Sequence, residues 1–363
     1  MNNPLPDLFR LENGQSVETE LQWRQRRAEM LDQILDVEYG HLPPVPEWVL
    51  SETLNEYVAA NLDRANSSQH RLQVGNSPAL DFRLDLLVPA GSGPFPVVLS
   101  GDGCWHTVSD EAKLAVLRRG YALAVFSRAE IVPDNRHLGR TTGLYRLYPQ
   151  GDYGAISAWA WGFHRCIDFL IERPEVDAKC IAVIGYSRGG KAALLAGATD
   201  ERIALTAANN SGCGGAGCHR WRGEGSEALE DCLKTFPHWF SPRLQEYIGK
   251  ESQLPFDQHY LKALVAPRSL LTTEALGDLW ANPEGTWLTH QAAREAYRFL
   301  QADEKIGIWF RDGGHPLGFA DWKAFLDFAD WQFKGIVSTC RFDAGPVWAR
   351  AVSGHPAGDV RNG

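Results

Sequence analysis

Residues 181–195 read IAVIGYSRGGKAALL. An apolar run ends on Gly185-Tyr186-Ser187-Arg188-Gly189, and a second run rich in helix formers leaves it. The run Cys180–Ile184 is apolar throughout, as a strand buried on both faces is. Arg188–Ala198 has helical spacing. A serine held between two glycines where a strand turns directly into a helix stands clear of the sheet edge, because the glycines leave room for a strained backbone.

Working outward, further short apolar runs appear at His70–Val74, Phe82–Val88, Val97–Ser100, Tyr121–Phe126, Ile203–Ala207, Ser269–Glu274 and Ile306–Phe310. Helical spacing appears at Asp110–Arg119, Tyr153–Arg173, Trp287–Leu300 and Ala320–Phe333, and before them at Leu21–Tyr39, which Gly40 and Pro43-Pro44 stop. The first two strands follow each other across Gly75–Pro78, after which strand and helix alternate. That order predicts an α/β fold: a mostly parallel, twisted sheet of about eight strands with an antiparallel start, helices on both faces and three layers in all. The expected organisation is an N-terminal helical extension over 1–60, one catalytic-type domain over 61–335, and a loosely held tail over 336–363. Within the domain, the Gly- and Trp-rich stretch 209–263 reads as an insertion over the carboxyl ends of the strands, where such sheets bind ligands.

The chain has 363 residues, a net charge of −9 and 44% hydrophobic residues. The acidic balance and the lack of a dense Lys/Arg tract argue against a nucleic-acid partner. No apolar run is long enough to span a bilayer, so no membrane partner is expected. The start MNNPLPDLFRLENGQ has neither a basic nor an apolar leader region, and as written the chain reads as cytoplasmic unless a leader was removed. Seven cysteines, an odd number in a chain this long, do not make a small disulfide scaffold. Cys213 and Cys218 have no second Cys or His pair at zinc spacing and HExxH is absent, so no metal and no cofactor are expected.

A serine hydroxyl needs a base oriented by a third group to act as a nucleophile. In this strand–turn–helix setting the chain order is serine, acid, histidine. Asp278 follows the strand Ser269–Glu274, and His315 follows Ile306–Phe310 in the loop RDGGHP. All three groups therefore fall at the same ends of the strands. His164 and His290 lie in or at helices and read as structural; His238 and His259 precede apolar segments and read as structural or as lining the pocket. Glu274 and Asp312 are the other carboxylates near strand ends. Of the 13 tryptophans, Trp159 and Trp161 read as packing residues in a helix. Trp105, Trp221, Trp239, Trp280 and Trp287 fall at loops or element ends near the site.

These residues resemble the glucuronoyl esterases, carbohydrate esterase family fifteen. Gly185–Lys191 (GYSRGGK) is similar to that family's GxSRxGK signature, and Asn210–Ala216 (NSGCGGA) to its (E/N)SGxGGA segment. FPHWF at 236–240, DQH at 257–259, ALVAPR at 263–268 and DLW at 278–280 are similar to its bacterial branch, and the likeness covers about 20–335. The resemblance implies an α/β-hydrolase fold without metal. It implies a substrate in which a 4-O-methyl-glucuronoyl group of xylan is esterified to a lignin alcohol. Catalytic roles then fall to Ser187, His315, Asp278 and Arg188, with Arg188 at the oxyanion site together with a donor from the Gly101–Trp105 loop. Lys191, Glu227, Trp280 and Asn210 make up the substrate-binding set.

The chain departs from the family at Asn210, where many members carry the triad glutamate. An amide cannot supply that charge, and Asp278 is the natural substitute. Two other readings stay open at this stage: an acetyl xylan esterase or other carbohydrate esterase, and a carbohydrate-binding relative without catalysis. The oligomeric state is not legible.

Overall fold

Along each central strand, successive side chains enter opposite cores. Val97 and Leu99 pack to one side and Val98 to the other; Ile181 and Val183 are likewise opposed to Ala182 and Ile184. Both faces are thus apolar and both are covered, which is why these runs lack the alternation of a half-exposed strand. The computed structural model describes residues 5–75 and 77–346.

Among the described residues the sheet has nine strands: β1 (Leu50–Ala59), β2 (Ala65–Val74), β3 (Leu80–Val88), β4 (Phe95–Ser100), β5 (Ala122–Phe126), β6 (Val176–Tyr186), β7 (Leu205–Asn209), β8 (Ser269–Ala275) and β9 (Ile306–Arg311). Their spatial order is β1-β2-β3-β5-β4-β6-β7-β8-β9. The pairs from β1 to β5 by way of β3 are antiparallel, and those from β5 to β9 are parallel. Helices Ala155–Leu170 and Arg188–Thr199 pack on one face, and Asp110–Arg118 and Phe319–Lys334 on the other. Trp159 and Trp161 are fully packed, with Trp159 Nε1 donating to Val132 O at 3.0 Å and Trp161 Nε1 to Pro44 O at 2.9 Å. Among the described residues, no helix is long and apolar enough to cross a membrane.

The expected helical extension over 1–60 is corrected by β1. Among the described residues of that stretch, only Glu20–Ile34 is α-helical, ending in a π-helical turn over Leu35–Tyr39. Nine of the ten residues of β1 are exposed, so this edge strand, paired with β2, leaves no buried alternation to read. The tail is corrected too. Phe342 is buried against Phe328, and its carbonyl accepts Ile308 N–H at 2.7 Å, so the chain after Gly335 returns to the sheet. Residues 347–363 of the expected tail lie outside the described residues. The insertion also divides. Its final helix, Gln258–Ala263, is wholly buried and packs on the helix Pro283–Phe299 and the one begun by Arg188, leaving the part before it to flank the strand ends.

Candidate active site

Ser187 has φ 55° and ψ −122°, a left-handed conformation that non-glycine residues rarely adopt. The surroundings enforce it. Ser187 N–H donates to Asn209 O at 2.9 Å and its carbonyl accepts Lys191 N–H at 3.1 Å, opening the helix. A side chain at Gly185 would collide with the Gly189 backbone, and one at Gly189 with the Asp102 carboxylate. The two glycines of the motif are there because two chain segments pass through the space of their missing Cβ atoms. Asp102 accepts Tyr186 N–H at 2.8 Å and is ion-paired with buried Arg128, so the loop after β4 is clamped to the elbow.

The elbow points Ser187 at His315, whose Nε2 lies 3.0 Å from the serine Oγ. His315 Nδ1 lies 2.5 Å from Asp278 Oδ2. Asp278 is 6% exposed, so its charge is little screened where it faces the ring. These distances put the proton on Nδ1 and leave Nε2 to accept from Ser187.

Asn210 joins this relay from below. Its Oδ1 accepts Ala275 N–H at 3.1 Å, which fixes the amide orientation and turns Nδ2 toward Asp278 Oδ2 at 2.8 Å. The same amide lies 3.4 Å from His315 O. Asn210 is buried, with its polar atoms committed to the triad loops, and this corrects its placement in the substrate-binding set. The backbone twists here as well, with φ 42° at Asn210.

Arg311, at the end of β9, braces the histidine loop. Its guanidinium donates to the carbonyls of Asp312 (3.2 Å), Gly314 (3.1 Å) and Pro316 (2.7 Å), while Nε holds Asp321 Oδ1 at 2.8 Å and Oδ2 at 2.9 Å. Asp321 also accepts from Asn209 Nδ2 at 3.0 Å. One fork thus ties the His315 loop to the helix behind it and to the strand before Asn210.

Arg188 sits in an aromatic cage. Its guanidinium carbon lies 5.2 Å from the Trp105 ring centre, 4.8 Å from Phe236 and 4.6 Å from Trp239. Asp134 Oδ2 accepts from it at 2.6 Å, and the other carboxylate oxygen accepts from His238 (3.0 Å) and Trp239 Nε1 (2.8 Å). Burial opposes ionisation of Asp134, yet hydrogen bonds from His238, Trp239 and Arg188 hold its carboxyl well below the usual range. Trp239 is therefore a cage wall, whereas Trp287 stacks on His290.

Lys191 is 4% exposed and its ammonium donates to Ser211 O at 2.5 Å and to Cys213 O. Two of its three protons thus secure the turn after Asn210, which leaves one for the substrate-binding role expected of Lys191. Glu227 is buried near it. Burial pushes its carboxyl up, while Lys191 and the Trp280 side chain favour the charged form. Glu227 N–H donates to Trp280 O at 3.1 Å, and Trp280 itself is 53% exposed.

The other histidines and acids lie apart from the serine. His164 Nε2 is 3.2 Å from Ala196 O, His259 Nε2 is 2.8 Å from Pro6 O, and His290 is buried beside Trp287. Glu274 is buried and bonded to Thr286, with burial pushing its carboxyl up to about 8; Asp312 is exposed. Asp102, Asp134, Arg311 and Asp321 were not singled out from the sequence. Their partners lie far along the chain or across a turn, and no spacing rule connects them.

A family model described as "Glucuronyl esterase, fungi" matches residues 73–301. The chain belongs to the glucuronoyl esterase family. A 4-O-methyl-glucuronoyl methylesterase of Cerrena unicolor is 31% identical over 325 residues, covering 86% of this chain and 65% of that one. Carbohydrate esterase MZ0003, from an unknown prokaryotic organism, is 37% identical over 242 residues, 60% of this chain and 55% of the relative. The chain thus spans less than two thirds of the length of these two relatives. Among solved glucuronoyl esterases, the carbohydrate esterase family 15 enzyme from Caldicellulosiruptor kristjansonii superposes with a TM-score of 0.81 at 34% identity, covering 94% of this chain and 93% of that one. The mostly parallel sheet with helices on both faces is accordingly the α/β-hydrolase fold of the glucuronoyl esterases.

Proposed function

We propose that this chain is a serine carboxylic-ester hydrolase that cleaves 4-O-methyl-glucuronoyl esters, such as those joining xylan side groups to lignin alcohols, through an acyl-enzyme. The observation that carries this reading is the unbroken line from Ser187 Oγ to His315 Nε2 and from His315 Nδ1 to Asp278.

In this mechanism His315 takes the Ser187 proton as Oγ attacks the ester carbonyl, and Asp278 stabilises the imidazolium that forms. The carbonyl oxygen becomes an oxyanion, met by Arg188 through its backbone N–H at the start of the helix and through its caged guanidinium, with the clamped Gly101–Trp105 loop opposite. His315 then protonates the departing alcohol. Water, deprotonated by the same ring, releases the uronic acid and restores Ser187. Glu227 and exposed Trp280 form the sugar side of the cleft, with Lys191 setting the local charge.

A family member that only binds carbohydrate has no use for a buried carboxylate aligned on a histidine and serine, and this argues for catalysis. An acetyl-removing esterase would have no use for Glu227 and Trp280 as a sugar side of the cleft. The experiment is a comparison of kcat/KM on benzyl glucuronate and on acetylated xylose. The uronate ester is expected to be the better substrate, and equal or inverted preference would remove the uronate assignment.

A further inference from the structure

The Sγ atoms of Cys213 and Cys232 and a carboxylate oxygen of Glu227 lie within 4.8 Å of one another, and all three residues are buried. Cys213 comes from the turn after β7, whereas Glu227 and Cys232 flank the start of the short helix Leu229–Thr235. We propose that these three side chains form a binding site for a borderline-soft divalent cation, zinc by its chemistry, and that filling the site blocks ester hydrolysis. The second half rests on the reading of Glu227 as a sugar-binding group; the first does not.

Three observations carry the site. Two sulfurs and one carboxylate favour zinc over magnesium or calcium, which prefer oxygen alone. Around zinc, with bonds of about 2.3 Å to sulfur and about 2.0–2.2 Å to oxygen, neighbouring ligand atoms stand about 3.5–3.8 Å apart, against the 4.8 Å within which all three lie here. The charges also balance. Two thiolates and a carboxylate carry three negative charges, the Lys191 ammonium on Cys213 O supplies one positive charge, and a divalent cation neutralises the rest.

An outer shell is in place as well. His219 Nδ1 lies 3.8 Å from Cys213 Sγ, and its Nε2 is fixed on Glu38 at 3.1 Å. Cys218, the nearer cysteine in sequence, instead has its Sγ 3.4 Å from Asp257. The spacing of 213, 227 and 232 matches no zinc pattern, so the cluster arises only from the fold. On binding, each thiol loses its proton to solvent, the two sulfurs and the carboxylate oxygen bond to the metal, and no redox change occurs. A carboxylate oxygen drawn onto the metal shares its charge with the cation and is turned toward the two sulfurs, so Glu227 becomes a poorer acceptor for a sugar hydroxyl.

The test uses the full chain, reduced and stripped with a chelator, with its seven thiols counted after denaturation. Titration with Co2+ is expected to give a sulfur-to-metal charge-transfer band at one equivalent, displaced by Zn2+. Cys213→Ser and Cys232→Ser should each weaken binding by more than the roughly 10–100-fold that loss of an outer partner costs, and Cys340→Ser should not change it. Glu227→Gln, which keeps both sulfurs, guards against misfolding of the cysteine variants and should weaken binding as well. No band in the fully reduced protein, a band that survives both cysteine changes, or conversion of the pair to a disulfide in place of metal uptake would overturn the site. Zn2+ should also abolish hydrolysis of benzyl glucuronate, reversibly by chelator. A band without inhibition would overturn the second half and remove Glu227 from sugar recognition.

Discussion

Asn210 Nδ2 donates to Asp278 Oδ2 at 2.8 Å, the same oxygen that faces His315 Nδ1 at 2.5 Å. The residue standing at the acid position of many family members therefore orients its replacement. The donated hydrogen bond fixes its rotamer. Moving the acid back should be feasible, because both positions converge on one ring: in an Asp278→Asn background, adding Asn210→Glu should recover part of the lost kcat. Steady-state assays on benzyl glucuronate check this, and no recovery in a folded double variant would mean that the ring is set for Asp278 alone.

Arg311 holds three carbonyls of the histidine loop and the Asp321 carboxylate at once. Arg311→Met should lower kcat by about 10- to 100-fold, as a loosened base does, with little change in KM. Arg311→Lys should fail to restore it, since a single ammonium cannot replace a planar fork. A change confined to KM would show that the brace serves the substrate cleft instead.

Trp280 is exposed, so its loss removes little buried area. Trp280→Ala should leave Tm nearly unchanged and raise KM for xylan-linked uronate esters, while small activated esters react as before. A large fall in Tm would assign it to packing.

His164 is buried in the helix Ala155–Leu170, and burial lowers its pKa to about 4. The unfolded chain, with an ordinary histidine near 6.5, then binds the proton that the folded state refuses. The sign follows: stability is unaffected above about pH 6.5, falls by up to about 1.4 kcal/mol per pH unit between there and about pH 4, and falls no further below. Urea unfolding at several pH values should show a shallower acid decline in His164→Gln than in the parent, and identical slopes would contradict this.

The sheet was readable because strands buried on both faces are written as apolar runs, and β4 to β9 all carry that mark. β1 was not, because an edge strand exposed along nearly all its length leaves no pattern. The positions of Ser187, Asp278 and His315 were legible from chain order and from their places after β6, β8 and β9. The service Asn210 gives to Asp278 was hidden, as were the hold of Asp134 on Arg188 and the braces from Arg311. Each depends on which loops the sheet order makes neighbours, and residue spacing does not encode that.

Asp278 must supply the charge that Asn210 lacks. The measurement is kcat on benzyl glucuronate for the parent, Asp278→Asn and Asn210→Ala, each checked for folding. Asp278→Asn should lower kcat by about two to four orders of magnitude, as loss of a triad acid does, and Asn210→Ala by about 10-fold or less, the scale of one supporting hydrogen bond. A folded Asp278→Asn enzyme with near-parental kcat would contradict the account and return the search to Glu274 and Asp312.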